Sequence, residues 1–346
     1  MEKVSLLAID VGAGTNDILV WSEDFLPANC PRLVVPSSSV LVGNEILKLA
    51  EKGKNIHLTG FLMGGGASTR AVKSAMGKGV KVTATPESAL TLHDNLDRVR
   101  EMGVEIREEP LEGYEVVEMR DVDLNAIAKS LAPWGIEVPD NIAVAVQDHG
   151  HSPNESNRSF RFKHWKSIMD KGGRIADLHP SEPPPYMTRM LSVKKQVPLA
   201  LVIDTGPAAI LGALEDEEIA KAVADNGAVV VNFGNAHTIA FLIRGEKLFG
   251  LFEHHTHSLD ERKVRTLVER LRSGEITNEE VYNERGHGAI YCAGFEPGGF
   301  DSVFATGPRR KIARGLARFA APHGDMMMTG CFGLIRAWKQ TRFGIV

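Results

Sequence analysis

A chain of 346 residues, 43% hydrophobic and 24% charged, is too long for one ordinary core and has the make-up of a two-domain globular protein. A formal net charge of −4 without any lysine- or arginine-rich block argues against nucleic acid as a partner, and the absence of a run of about 18 apolar residues argues against a membrane span. Three widely spaced cysteines, Cys30, Cys292 and Cys331, exclude a disulfide framework and, with no secretion signal at the N-terminus, lead us to expect a cytoplasmic protein.

Residues 4–9 and 17–21 read as two strands joined by the turn IDVGAGTND. A proline-punctuated loop and a helix over 43–53 follow, then the strand NIHLTGFLMGGG running into a glycine turn at Gly64-Gly65-Gly66. A helix near 67–78, the strand GVKVTATP and a helix through ESALTLHDNLDRVREMG continue an alternation that predicts parallel α/β organisation. Residues 121–133 read as helix, and NIAVAVQDHGHSP as a buried strand ending in polar residues. From about 152 to 198 the chain is irregular and polar, as an insertion or loop over a site would be. The strand LALVIDTG then enters the helix PAAILGALEDEEIAKAVAD, with Pro207 near its first turn. The strand AVVVNFG precedes a meander, HTIAFLIRGEKLFGLFEHH, turning at Arg244-Gly245-Glu246. SLDERKVRTLVERLRSG reads as an amphipathic helix with Ser258 as N-cap and Glu261 completing a capping box. DSVFATG is a final strand, and the tail from Asp325 reads as helix, its Met326-Met327-Met328 run as packing.

The opening turn has the physics of an anion site. Gly12 and Gly14 can expose consecutive backbone amides to phosphate oxygens, Thr15 and Asn16 add side-chain donors, and Asp10 suits an indirect ligand of Mg²⁺. A plain glycine hairpin is the alternative. The chain has no G-x-x-x-x-G-K-[ST], which excludes a P-loop, and the turn lacks the third glycine of G-x-G-x-x-G, which argues against a Rossmann site. A similar turn, Asn232-Phe233-Gly234, lies between the strands of the second half.

The order of elements resembles the actin, sugar-kinase and heat-shock-chaperone ATPase superfamily, in which ATP sits between two ribonuclease-H-like domains. AIDVGAGTNDILV resembles its first phosphate motif, IDTGPAAILGALEDEEIA its linking helix, and VVVNFGNAHTIAFLI its second phosphate motif. VFATGPRR is similar to its adenosine motif, and GDMMMTGCFGLIRAW to its closing helix. The chain also resembles a prokaryotic family named "pyruvate formate-lyase activating enzyme-like", although the C-x₃-C-x₂-C signature of such enzymes is absent, no two cysteines being closer than 39 positions.

The resemblance implies two ribonuclease-H-like α/β domains with mixed sheets and a cleft between them. The first would be 1–215 with an insertion near 152–198, the second 216–324, and 325–346 a helix returning to the first. It implies ATP and Mg²⁺ as cofactors, with Asp10 at the metal. Gly12, Gly14, Thr15 and Asn16 would take one side of the phosphates, and Asn232, Gly234 and Thr238 the other. Thr306, Gly307 and Arg309 would border the adenosine, and Asp148 or His149 would act as general base toward a small-molecule acceptor. Asn232 departs from the aspartate usual there and brings no charge. The expected function is therefore a kinase or ATPase, or else a nucleotide-gated module acting on a protein partner. A third possibility is a metal-dependent hydrolase using His149 and His151 with His254, His255 and His257, of which alternation places His255 and His257 on one face. His287 and the Gly64–Gly66 turn, which could receive an anion at a helix N-terminus, have no assigned role.

Overall fold

The computed structural model describes residues 4–344. Three antiparallel strands come first, β1 (Ser5–Val11), β2 (Thr15–Ser22) and β3 (Arg32–Pro36). Four short parallel strands follow: β4 (Ile56–Gly60), β5 (Val82–Ala84), β6 (Glu105–Ile106) and β7 (Glu115–Met119). They form a sheet of their own in the order β6-β5-β4-β7. The chain then returns, and β8 (Ile142–Val146) and β9 (Leu201–Asp204) lie parallel to β1, completing the first sheet as β3-β2-β1-β8-β9.

The second half repeats that plan. β10 (Ala228–Phe233), β11 (His237–Arg244) and β12 (Lys247–His255) form the meander, and β13 (Gly288–Tyr291) extends its edge. β14 (Ser302–Thr306) and the short β15 (Arg318–Phe319) continue in parallel on the other side of β10, giving β13-β12-β11-β10-β14-β15. Two mixed sheets, each with a three-strand meander flanked by two parallel strands, make this an actin-like ATPase fold of two ribonuclease-H-like domains. The β4–β7 sheet is inserted between β3 and β8 of the first.

Burial explains the continuous apolar runs. Along β1, Leu6 and Ala8 face one core while Leu7 and Ile9 face another; along β10, Ala228 and Val230 alternate in the same way with Val229 and Val231. Both sheets are thus covered on two faces, which removes the polar alternate positions of a half-exposed strand. The face shared by both sheets also buries the helices Thr205–Ala213 and Thr329–Phe343. These two helices meet through glycine: a Cβ on Gly212 would lie 1.7 Å from the Thr329 carbonyl oxygen, and one on Gly333 1.8 Å from that of Ala208. No side chain fits between them, so the axis joining the halves is a backbone contact.

Several elements differ from the sequence reading. Residues 152–198 contain two helices, Asn157–Asp170 and Thr188–Gln196. The first was hidden because its buried face mixes Arg161 with Phe162, Trp165 and Met169. The long helix expected after Gly206 breaks at Asp216, whose carboxylate accepts from the Glu218 amide and starts a second helix, Glu217–Asp225. Asp260, accepting from Lys263 N at 2.7 Å, caps the helix Glu261–Ser273 in place of Ser258, which belongs to a preceding 3₁₀ turn.

Candidate functional site

The turns after β1 and β10 are the same piece of backbone. Gly12 N–H donates to Thr15 O at 2.9 Å, and Gly234 N–H donates to His237 O at 2.9 Å. A Cβ on either glycine would lie 2.8 Å from that carbonyl oxygen, so both positions require glycine for close approach. Strand pairing makes Asp10 equivalent to Asn232, Thr15 to His237 and Asp17 to Ile239. The turns face each other closely: a Cβ on Gly14 would meet Asn235 Nδ2 at 2.8 Å.

Between them lies a narrow pocket of about 100 Å³, bordered by Asp10, Gly12 and Thr15 on one side and Asn232 and Gly234 on the other. Thr306 and Gly307 close its far end. Thr306 is fully buried, its hydroxyl 3.1 Å from that of Thr329, and Gly307 has φ +91°, where an added Cβ would lie 2.6 Å from Asn232 Oδ1. Asp10 Oδ1 accepts from the Thr205 hydroxyl at 2.6 Å, and Gly330 leaves no room for a Cβ beside Asp10 Oδ2.

Two carboxylates share this floor. Asp17 stands directly across the hairpin from Asp10, and its Oδ1 is buried without a hydrogen-bond partner. Burial, with a smaller push from Asp204, raises Asp10 to about 6 despite the Thr205 bond. Burial and the charge of Asp10 raise Asp17 to about 7. Two buried acids without a nearby cation repel each other and take up protons. Asp17 carries a site signal that our reading of the turn passed over, though its hairpin position opposite Asp10 was legible.

Other expected residues lie elsewhere. Asn16 is buried and donates to the Ser38 hydroxyl at 3.0 Å. Thr238 is fully buried and shares a hydrogen bond with Thr256 inside the second domain. Arg309 is exposed and does not border the pocket. Asp148 is held by backbone: its two carboxylate oxygens accept from Gly150 N at 2.8 Å and Met190 N at 2.9 Å. Both it and His149 border a second, larger cavity of about 560 Å³, which adjoins the first at Gly12, Gln147 and His237. At the Gly64–Gly66 turn, Ser39 Oγ already accepts from the amides of Ala67 and Ser68, and Gly64 gives room to the Arg189 guanidinium.

A buried ion network ties the halves together behind this site. Arg161 pairs with Asp204 at the end of β9 through two bonds of 2.7 and 3.0 Å, and with Glu253 on β12 at 2.8 Å. Burial alone would raise Glu253, but Arg161 and the surrounding histidines hold its carboxyl below the usual range. Glu253 also accepts from Gln147 Nε2 at 3.1 Å, and Gln147 Oε1 from His237 Nδ1. His149, His237, His255 and His287 crowd the same place, with ring centres 4.6–5.2 Å apart among the contacting pairs. One ring nitrogen each from His149, His237 and His287 lies within 4.8 Å of the others, which is metal-ligand spacing. His254 points elsewhere, its Nδ1 toward the His255 carbonyl. No sequence rule joined His149, His237 and His287, which are spread over 138 positions between the first and the last.

Residues 63–312 match the model of the family described as "Putative pyruvate format-lyase activating enzyme (DUF1786)". The chain belongs to that family. No curated protein matches it. Loose likenesses to solved structures include the ethanolamine utilization protein EutJ from Carboxydothermus hydrogenoformans, at 10% identity, 96% of this chain, 90% of that one and a TM-score of 0.28. An actin-like ATPase-fold protein of unknown function from Bacteroides thetaiotaomicron is 6% identical over 95% of each chain, with a TM-score of 0.35. A chain of the PilM–PilN type IV pilus biogenesis complex is 12% identical over 96% of this chain and 98% of that one, also at 0.35. Such overlaps are too loose to argue from, and the fold rests on the repeated strand order. Among the described residues no helix is long and apolar enough to cross a membrane.

Proposed function

We propose that this chain binds ATP with Mg²⁺ in the cleft between its two related sheets, in the cytoplasm, and transfers or releases the terminal phosphate. One observation carries the reading: two backbone-identical glycine turns face each other beside a pair of buried, mutually repelling carboxylates. Asp10 and Asp17 fit a divalent cation, because Asp17 Oδ1 is buried without a partner and a cation would relieve the charge that now raises both acids. Bound Mg²⁺ would neutralise developing charge on phosphate oxygens. The chain's own part is positioning: Gly12 to Thr15 and Gly234 to Ala236 would offer amides from two sides, and Thr306 and Gly307 would border the adenosine. The turns touch at Gly14 and Asn235, so a nucleotide must part them, and binding would be coupled to movement of one domain against the other.

Asn232 and the backbone-bound Asp148 favour a second reading. With an amide in the place equivalent to Asp10, and Asp148 already engaged by two backbone amides, the chain would be a nucleotide-gated module that signals to a protein partner without turnover. The cysteines do not support an iron–sulfur cluster: all three are buried, and the Cys331 thiol donates to Asp17 O at 3.1 Å.

A thermal-shift titration with ATP and Mg²⁺, followed by phosphate release against a panel of small acceptors, tests both. Stabilisation with release supports the phosphotransferase or ATPase; stabilisation without release supports the gated module. No shift at millimolar nucleotide would sink both.

A further inference from the structure

We propose that His149, His237 and His287 form a binding site for one divalent transition metal, zinc foremost, with an open coordination position toward the larger cavity. The site is separate from the carboxylate pair and independent of nucleotide.

The three ligands come from both halves of the molecule. His149 lies three residues beyond β8 in the first domain, His237 opens β11, and His287 immediately precedes β13. His149 Nε2 and His287 Nε2 are 3.1 Å apart. Two nitrogens at 2.0–2.1 Å from a tetrahedral zinc ion stand about 3.3 Å apart, so this pair is already near an edge of the coordination sphere. The third nitrogen lies within 4.8 Å of these.

Hydrogen bonding fixes the third ligand's tautomer. The Glu253 carboxylate, which Arg161 keeps ionised, can only accept, so Gln147 turns its Nε2 toward it at 3.1 Å. Gln147 Oε1 then accepts from His237 Nδ1–H, and His237 Nε2 is left with its lone pair. A carboxylate–amide–imidazole chain of this kind is how proteins orient metal-binding histidines. It is bonded further to Arg161 and Trp165 Nε1, so it is rigid.

The protein alone does not satisfy the cluster. His287 is 1% exposed, and its Nδ1 is buried without any partner. Burial disfavours the charged form of all three imidazoles. Imidazole sets of this kind suit zinc, copper, iron or nickel. Three protein ligands leave a fourth position for water. His149 and His237 border the 560 Å³ cavity, so that water would be open to a small molecule there.

The test uses the full-length, tag-free chain, stripped with chelator and titrated with Zn²⁺ or Co²⁺ in the absence of nucleotide. Wild type should bind one ion per chain, and the Co²⁺ form should show the intense visible bands of a four- or five-coordinate site. His237→Ala and His287→Ala should each weaken binding by at least about 100-fold, and Gln147→Ala, which frees the His237 ring, by about 10- to 100-fold. X-ray absorption on zinc-loaded wild type should give imidazole nitrogens at about 2.0 Å, a readout that does not depend on any variant folding. Asp10→Asn should leave zinc binding unchanged. Absence of stoichiometric binding would overturn the proposal. So would loss of zinc in Asp10→Asn but not in the histidine variants, or an absorption spectrum of oxygen ligands alone.

Discussion

The turn after β1 and the turn after β10 share a hydrogen bond of 2.9 Å and the same intolerance of a Cβ, yet their surroundings have nothing in common. Beside the first stand Asp10 and Asp17; beside the second stand Asn232, Ile239 and the histidines around His237. Backbone geometry is therefore the property the two halves have in common, and side-chain chemistry the property in which they differ. A glycine turn packed against its own carbonyl can present amides to an anion whatever follows it, but only the first turn offers carboxylates for a cation. Electrostatics differ accordingly. Among the described residues, the first turn carries acids without an ion-pair partner, while Asp204 and Glu253 behind the second both pair with Arg161.

Removing the group that joins the two regions should have the largest effect. Arg161→Leu would leave Asp204 and Glu253 buried without their cation, and we expect a loss of about 3–5 kcal/mol in urea unfolding. A loss below 1 kcal/mol would mean that the network does not hold the halves together. Next, Gly12→Ala and Gly234→Ala should cost similar amounts, about 1–3 kcal/mol each, because the added methyl meets the same obstacle at the same distance. Clearly unequal losses would break the equivalence of the turns.

The acid pair sets a pH dependence that only the first turn should show. Because Asp10 and Asp17 hold protons more tightly folded than unfolded, their contribution to stability should be full below about pH 4 and be lost as pH rises through about 6 and 7, opposite in sign to that of the buried histidines. In thermal melts at fixed ionic strength, Asp17→Asn should gain stability relative to wild type as pH rises from about 4 to 7, and Mg²⁺ should narrow that gap near neutrality. A difference between the two proteins that does not change over this range would contradict the assignment. The smallest effect is expected from Asn232→Asp, which is isosteric and makes the second turn more like the first. It should lower the melting temperature by a few degrees in metal-free buffer, and Mg²⁺ should recover the difference.

Much of the fold was legible because it is written in strands buried on both faces, whose unbroken apolar runs stand out, and in glycine turns between them. The glycine turns after β1 and β10, the Thr306-Gly307 turn and the helix beginning at Thr205 could each be placed from short local patterns. The β4–β7 strands were legible one by one, but nothing local showed that they form a separate sheet. The helix Asn157–Asp170 was not legible, since its inward face is built around Arg161, and an arginine reads as surface until its partners are known. Thr238 and Arg309 were misplaced for a related reason. Alternation fixes which face of a strand a residue occupies, but not whether that face meets the cleft or, as for Thr238, the interior beside Thr256. Asp17 was within reach of hairpin register alone, whereas the histidine site needs three distant segments brought together.

The central claim is that nucleotide enters between the two turns on a cation held by Asp10. Calorimetric titration of ATP into wild type and Asp10→Asn, each with and without Mg²⁺, tests it most directly. We predict saturable binding to wild type that strengthens at least about tenfold with Mg²⁺, roughly 1.4 kcal/mol, and that Asp10→Asn abolishes this gain. Undiminished magnesium dependence in Asp10→Asn, or no binding to either protein, would contradict the account.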